Sequence, residues 1–358
     1  MEEIQKKLAD LFEVIHDPIL GIRDGIIIFA NFAARRAFGN KLVGSLAADL
    51  VPVTTCHAGS DFNASSAIIR GKSVTITSTS FEGIVVMNIA LPYEEKYSTL
   101  IPSFLLNSLN SSAMTMRLAS DLVINSIGEL PPAAVKHTEM LYHSFYSLLR
   151  ITTNLDTVSK LATGNIPLQL RPWNINTICA ELVQSTSVLI DGMGIELTFS
   201  ATEHDILSVV DRDAMEQIIL NLLANSIQKA VHGNKIALSL SRVDDRLIIG
   251  IDDNCGGVPP NVLGNIFTWF DRDAELSSLS EGVGFGLYIV RGLTECHGGT
   301  VMISGHEGGA SVRVSIPITD TVDPQLHSPI FYPAGMPSVL RELSNVLGHE
   351  LYNQKFLN

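Results

Sequence analysis

The spacing of apolar and polar positions changes twice along the chain, and each change marks a boundary. Residues 1–94 begin on a helical pattern and then alternate short β-rich runs with turn signals, at 18–22, 25–30, 65–69, 73–78 and 83–89. Such runs predict a small mixed sheet. From about residue 97 the apolar positions take helical spacing, broken at Gly128-Glu129-Leu130-Pro131-Pro132 and resumed as far as Gly164. Two long helices so joined form an antiparallel hairpin. Their apolar positions are too many for one hairpin to bury, which predicts a homodimer whose hairpins pair into a four-helix bundle. The alternative is a hairpin packed against its own neighbours.

From residue 166 to 318 strand-like runs alternate with helices. The helices fall at 175–190, 213–231 and 286–296, and the strands at 195–200, 235–242, 246–252, 300–304 and 310–316. That order predicts a two-layer α/β sandwich. The tail holds one further amphipathic helix, at 337–347, with no assigned role. The chain is thus an α+β multidomain protein divided at 1–94, 95–163, 164–319 and 320–358.

Composition narrows the class. With 46% hydrophobic and 17% charged residues, the chain has buried cores and is not a disordered polymer. A net charge of −13 argues against nucleic acid as a partner, because phosphate binding needs a basic surface. The longest apolar runs, such as Gly25-Ile26-Ile27-Ile28-Phe29-Ala30, fall far short of the roughly 20 residues of a membrane span. Glu2, Glu3, Lys6 and Lys7 open a helical pattern that lacks the basic start and apolar core of a signal peptide, so a cytoplasmic location is expected. Cys56, Cys179, Cys255 and Cys296 lack metal-ligand spacing and are expected as reduced thiols.

Three segments carry chemistry. On the helix from Asp213, Asn221, Asn225 and Gln228 stand at i, i+4 and i+7 on one face. Two carboxamides one turn apart suit a magnesium ion and the phosphates it bridges, and equally a satisfied buried polar pair. The strand ending at Asp252 leads into Asp253-Asn254-Cys255-Gly256-Gly257-Val258-Pro259, where a carboxylate leaves a sheet edge and glycines allow close backbone approach to a flat ligand. A carboxylate there accepts from an exocyclic amine and so selects adenine over guanine. Finally, Glu281-Gly282-Val283-Gly284-Phe285-Gly286-Leu287 runs straight into a helix whose first amides attract phosphate.

Together these segments resemble the histidine-kinase branch of the GHKL ATPases. Ile266-Phe267-Thr268-Trp269-Phe270 stands where these kinases have their phenylalanine box, His297-Gly298-Gly299 where they close the last helix, and 153–172 where they join hairpin to ATP domain. The resemblance covers about residues 98–318. It implies Mg2+ and ATP as cofactors, Asn225 as the magnesium ligand, Asp253 as the adenine reader and Gly257 beside the base. Gly282, Gly284 and Gly286, with Leu287, would hinge the lid over the phosphates. Asn221 stands where the hydrolases of the superfamily place a glutamate, which makes plain ATP hydrolysis the last-ranked chemistry. Residues 17–31, with Asp24-Gly25 as a turn, resemble the opening hairpin of PAS sensor domains; a ligand sensor and an empty packing domain both fit.

Three positions depart from the family pattern. The phosphate acceptor of these kinases is a histidine on the first hairpin helix, and aligning Phe104 with the phenylalanine before it puts Asn110 in that slot and Ser111 in the acid slot. A shift of one residue offers Ser111 and Ser112. No histidine occurs between His57 and His137, and an amide is not the nucleophile that imidazole is. His137 and His143 on the second helix are the substitutes, expected as surface residues. Gln228 replaces a phosphate-facing cation, with Lys229 about 100° further round the helix. Cys255 replaces the first glycine of the adenine loop, at a cost on the order of 1 kcal/mol if that position needs positive φ. The implied protein is a two-component sensor kinase, partnered by a response regulator or another kinase. Its rival is a pseudokinase that binds nucleotide to control a partner.

Overall fold

The computed structural model describes residues 12–13, 18–51, 62–69, 72–81, 83–90, 103–127, 130–164, 166–257, 285–306, 308–319 and 336–352. In the amino-terminal domain, β1 (Ile19–Arg23) and β2 (Ile26–Ala30) are joined through Asp24 and Gly25. Both turn residues have positive φ, 51° and 76°, the backbone whose twist matches a two-residue hairpin. Helix α1 (Phe32–Phe38) starts at the fully buried Asn31, whose side chain accepts from Ala34 N and from Ile19 N, both at 2.9 Å. One amide thereby caps the helix and ties it to β1.

Strands β3 (Phe62–Ile69), β4 (Lys72–Phe81) and β5 (Ile84–Ala90) complete a sheet in the order β2-β1-β5-β4-β3. Every pairing in it is antiparallel, which corrects the expectation of a mixed sheet. Connections as short as those between β3 and β4 or β4 and β5 cannot make the crossover a parallel pair needs. Alternate residues sort to two faces: Leu20, Ile22, Val74, Ile76, Met87 and Ile89 pack with α1, while Ile19, Phe29, Ile84 and Val86 pack on the other side.

Helices α2 (Ser103–Ile127) and α3 (Pro132–Ala162) form the hairpin, α3 opening on a proline whose missing N–H costs nothing there. Side-chain bonds link Asn110 to Thr152, Arg117 to Tyr146 and Asp121 to Tyr142. Rising numbers on one helix meet falling numbers on the other, so the pair is antiparallel.

The carboxy-terminal unit comprises β6 (Arg171–Asn174), α4 (Ile175–Ile190), β7 (Glu196–Ala201), β8 (Leu207–Val210), α5 (Arg212–Lys229), β9 (Lys235–Val243), β10 (Arg246–Asp253), α6 (Gly286–Cys296), β11 (Thr300–His306) and β12 (Gly309–Pro317). Its main sheet runs β7-β9-β10-β12-β11, with β7 and β9 parallel, and β6 pairs with β8 separately. Inward residues Leu238, Leu247, Ile249 and Val314 share one core with Ile178, Leu182, Ile218 and Leu222 of the helices. This is a two-layer sandwich.

The two sheets are continuous. The free edge of β11 pairs antiparallel with β3, from Met302 opposite Ser65 to Gly305 opposite Phe62, giving ten strands in one sheet. Val301 N donates to Ser66 Oγ at 3.2 Å, and Arg291 Nη1 of α6 donates to Thr75 Oγ1 at 3.1 Å. Each edge covers the other's open hydrogen-bonding groups.

The tail closes a second junction. Helix α7 (Met336–Glu342) and the residues after it bury Val339, Leu340, Leu343, Leu347 and Tyr352 to 4% exposure or less, against α3, α4 and α5. Tyr352 Oη donates to Leu340 O at 2.8 Å, and its ring lies edge-on to His143 at 5.0 Å. Removing a large buried ring without refilling its space costs about 3 to 5 kcal/mol. Urea unfolding of Tyr352→Ala is expected to show a loss of that size, and Tyr352→Phe, which gives up one hydrogen bond, a loss of about 1 kcal/mol. A tail that only rests on the surface would leave both variants as stable as the wild type.

Candidate functional site

Helix α5 is the floor of the site. Its N-cap, Asp211, accepts from Ala214 N at 3.0 Å, and the Asp211 N–H donates to Nε2 of His297 at 3.1 Å. His297 Nδ1 lies 2.8 Å from Leu293 O, an acceptor, so its proton sits on Nδ1. This histidine, just past the end of α6, therefore pins the end of α6 to the start of α5. Sequence reading placed His297 at the helix end without assigning it that contact.

Thirteen of the eighteen α5 residues are buried, including Gln217, Asn221 and Ser226. Gln217 turns towards the hairpin, donating to Asn154 Oδ1 at 3.2 Å. Asn221 Nδ2 donates to Gln217 O at 2.8 Å, which leaves Oδ1 on the side of α6. A Cβ built on Gly286 would meet that oxygen at 3.0 Å, so the glycine lets α6 begin directly against the amide. Asn225 lies one turn on. Its Nδ2 is buried and has no hydrogen-bond partner among the described residues.

Asp253 ends β10 with both carboxylate oxygens engaged. Oδ2 accepts from Ser226 Oγ at 2.7 Å, and Oδ1 from Cys255 N at 3.0 Å and Ala310 N at 3.3 Å. The positive φ values of the following loop fall on Gly256 (95°) and Gly257 (72°), while Cys255 is not among the positive-φ residues. The strain considered for Cys255 therefore does not arise: glycines occupy the two positions that need left-handed backbone. Burial and the neighbouring Asp253 charge raise the Cys255 thiol pKa, which keeps it an inert packing group.

Gln228 and Lys229 are both exposed, and Lys229 Nζ donates to Gly257 O at 3.3 Å. The cation one position along thus reaches the glycine loop. Helix α6 starts at Gly286 and Leu287, and the side chain of its N-cap residue Phe285 makes no capping bond. Gly282, Gly284 and residues 266–270 lie outside the described residues.

In the acceptor slot, Asn110 Oδ1 accepts from Thr152 Oγ1 of the facing helix, and Ser111 and Ser112 are exposed. His137 is exposed. His143 is not the surface residue expected: its Nε2 donates to Ser344 O at 2.9 Å, because the apolar tail packs over that stretch of α3.

Residues 210–320 match the family described as histidine kinase-, DNA gyrase B- and HSP90-like ATPase, a span holding α5, Asp253 and α6. Sensor protein KdpD of Clostridium acetobutylicum is 28% identical over 179 residues, 49% of this chain and 20% of that protein. Sensor histidine kinase MtrB of Mycolicibacterium paratuberculosis is 24% identical over 214 residues, 59% of this chain and 38% of that protein. The chain thus spans between a fifth and two fifths of the length of these two relatives. Full-length ShkA in complex with AMPPNP is 23% identical and covers 61% of this chain and 47% of that one, with a TM-score of 0.48. No helix among the described residues is long and apolar enough to cross a membrane.

A buried amide N–H lacking an acceptor costs about 1 to 3 kcal/mol. Asn225→Ala is therefore expected to unfold in urea at the same free energy as the wild type or higher, as is common for site residues kept for function. Asn221→Ala, which gives up the bond to Gln217 O, should lose about 1 kcal/mol. A larger loss for Asn225→Ala than for Asn221→Ala would contradict this assignment.

Proposed function

We propose that this chain, whose residues 210–320 match the histidine kinase-, DNA gyrase B- and HSP90-like ATPase family, binds Mg-ATP and acts in the cytoplasm as a two-component sensor kinase homologue. The observation that carries the reading is the buried side-chain nitrogen of Asn225, without a hydrogen-bond partner among the described residues and one residue before the serine that bonds Asp253. Amide O and N are told apart only by their partners, so the Asn225 side chain can turn its oxygen to a cation. Magnesium takes few protein ligands and keeps phosphate oxygens and waters, which one carboxamide satisfies. When bound, the ion would supply charge neutralisation between the β- and γ-phosphates.

In this reading Asp253 accepts from the adenine amine, Gly257 lets the loop approach the ring, and Asn221 flanks the phosphates. Gly282, Gly284, Gly286 and Leu287 close the lid, the first amides of α6 meet the phosphates, and Lys229 takes the place of Gln228 as the nearby cation. Exposed Leu105, Leu109, Met116, Val123 and Ile127 of α2 fall on one side of the helix and supply an apolar face for a second hairpin, which supports a homodimer. The β3–β11 pairing and the Arg291–Thr75 bond support a relay from a PAS-like input domain to α6.

Transfer of the γ-phosphoryl group is a matter of alignment and charge stabilisation by the protein, with the nucleophile supplied by the acceptor. The Asn110 amide supplies none, and its oxygen is already bonded to Thr152. That bond favours the reading in which the chain itself stays unmodified and responds to nucleotide, acting on a partner kinase or response regulator. Incubation with γ-labelled ATP is expected to leave the chain without acid-labile label while Mg-ATP still raises its melting temperature. Acid-labile label that disappears in His137→Ala or His143→Ala would instead make the chain a self-phosphorylating kinase.

A further inference from the structure

Asp253 can read a base only if its carboxylate is held still, and we propose that Ser226 is the positioning residue that holds it and thereby sets the preference for adenine over guanine. The inference rests on the reading of Asp253 as the base acceptor. Ser226 is 5% exposed and lies on α5, 27 residues before its partner, with Oγ 2.7 Å from Asp253 Oδ2. The opposite oxygen is fixed by the backbone N–H groups of Cys255 and Ala310 at 3.0 and 3.3 Å. A carboxylate tethered at both oxygens cannot turn about its last bond, so the remaining lone pair of Oδ2 keeps one direction.

The hydroxyl does more than tether. Its single proton is committed to Oδ2, so Ser226 and Asp253 together offer an incoming base edge lone pairs alone. Adenine brings an N6 amine donor to that edge, whereas guanine brings the O6 acceptor. Donor meets acceptors in the first case, and acceptor meets acceptors in the second. If the hydroxyl is removed, water entering its space can turn either a proton or a lone pair to the base. A carbonyl is then tolerated, and the carboxylate, held at Oδ1 alone by its two backbone N–H groups, can tilt Oδ2 away from it. Loss of the hydroxyl should therefore weaken ATP binding moderately and erode the ATP-over-GTP preference more.

Calorimetric titration of the full chain with Mg-ATP and with Mg-GTP tests this in the wild type, Ser226→Ala, Ser226→Thr and Asp253→Asn. Removing one hydrogen bond to a charged group is worth about a tenfold change in equilibrium. Ser226→Ala is expected to raise the ATP Kd by up to about tenfold, with little change or a fall in the GTP Kd, while Ser226→Thr keeps the wild-type ratio. Should the alanine variant fold too weakly to titrate, Ser226→Cys, with its weaker donor, carries the same expectation. An unchanged ATP-to-GTP ratio in Ser226→Ala overturns the role of Ser226, and if Asp253→Asn still abolishes binding, only that role falls. Wild-type protein that binds no Mg-ATP, or binding indifferent to Asp253→Asn, removes the base-reading site and this inference with it.

Discussion

A helix buried at thirteen of eighteen positions must satisfy most of its polar side chains inside the protein, and α5 does so by reaching into several elements around it. Gln217 bonds the hairpin, Asn221 bonds its own helix and faces Gly286, and Ser226 bonds the end of β10. Each partner is thereby set at a fixed place round one axis. Among the described residues Asn225 alone of these amides keeps a buried nitrogen without a partner, in the stretch where the others converge. A polar group left in that state within a packed helix is costly, and a ligand that fills the gap removes the cost.

The rest of the chain is arranged about α6, which stands between this pocket and the amino-terminal sheet. Its first residues face Asn221, its middle carries Arg291 to Thr75, and its end is pinned by His297 to the cap of α5. A shift in the amino-terminal sheet would therefore load the helix whose start lies beside Asn221, through β11 and through Arg291 together. The tail adds a separate constraint by packing across α3, α4 and α5, so the hairpin and helices α4 and α5 share one core. Both junctions join segments far apart in the chain.

Local patterns were legible because their cause is local. The placing of Asn221 and Asn225 one turn apart on α5, the Asp24-Gly25 turn and the start of α6 at Gly286 each follow from backbone geometry within a few residues. The β3–β11 seam left no such trace, because an edge strand reads the same whether it faces water or another edge. Strands β6 and β8, of four residues each, are too short to show a period. Ser226 is silent for a related reason: a serine between an amide and an isoleucine gives no sign that its partner is a carboxylate 27 positions on. The same limit explains His143, which looked exposed until the tail, numbered some 200 residues later, was seen to cover it. Cys255 was judged by the family's glycine at its position, whereas the left-handed backbone falls on the two residues after it.

Diffraction from crystals grown with magnesium and a non-hydrolysable ATP analogue tests the central claim most directly. The account predicts a metal at about 2.1 Å from the Asn225 side-chain oxygen, with the adenine amine in hydrogen-bond contact with Asp253. Nucleotide bound elsewhere, or a metal-nucleotide complex that touches neither side chain, would contradict it.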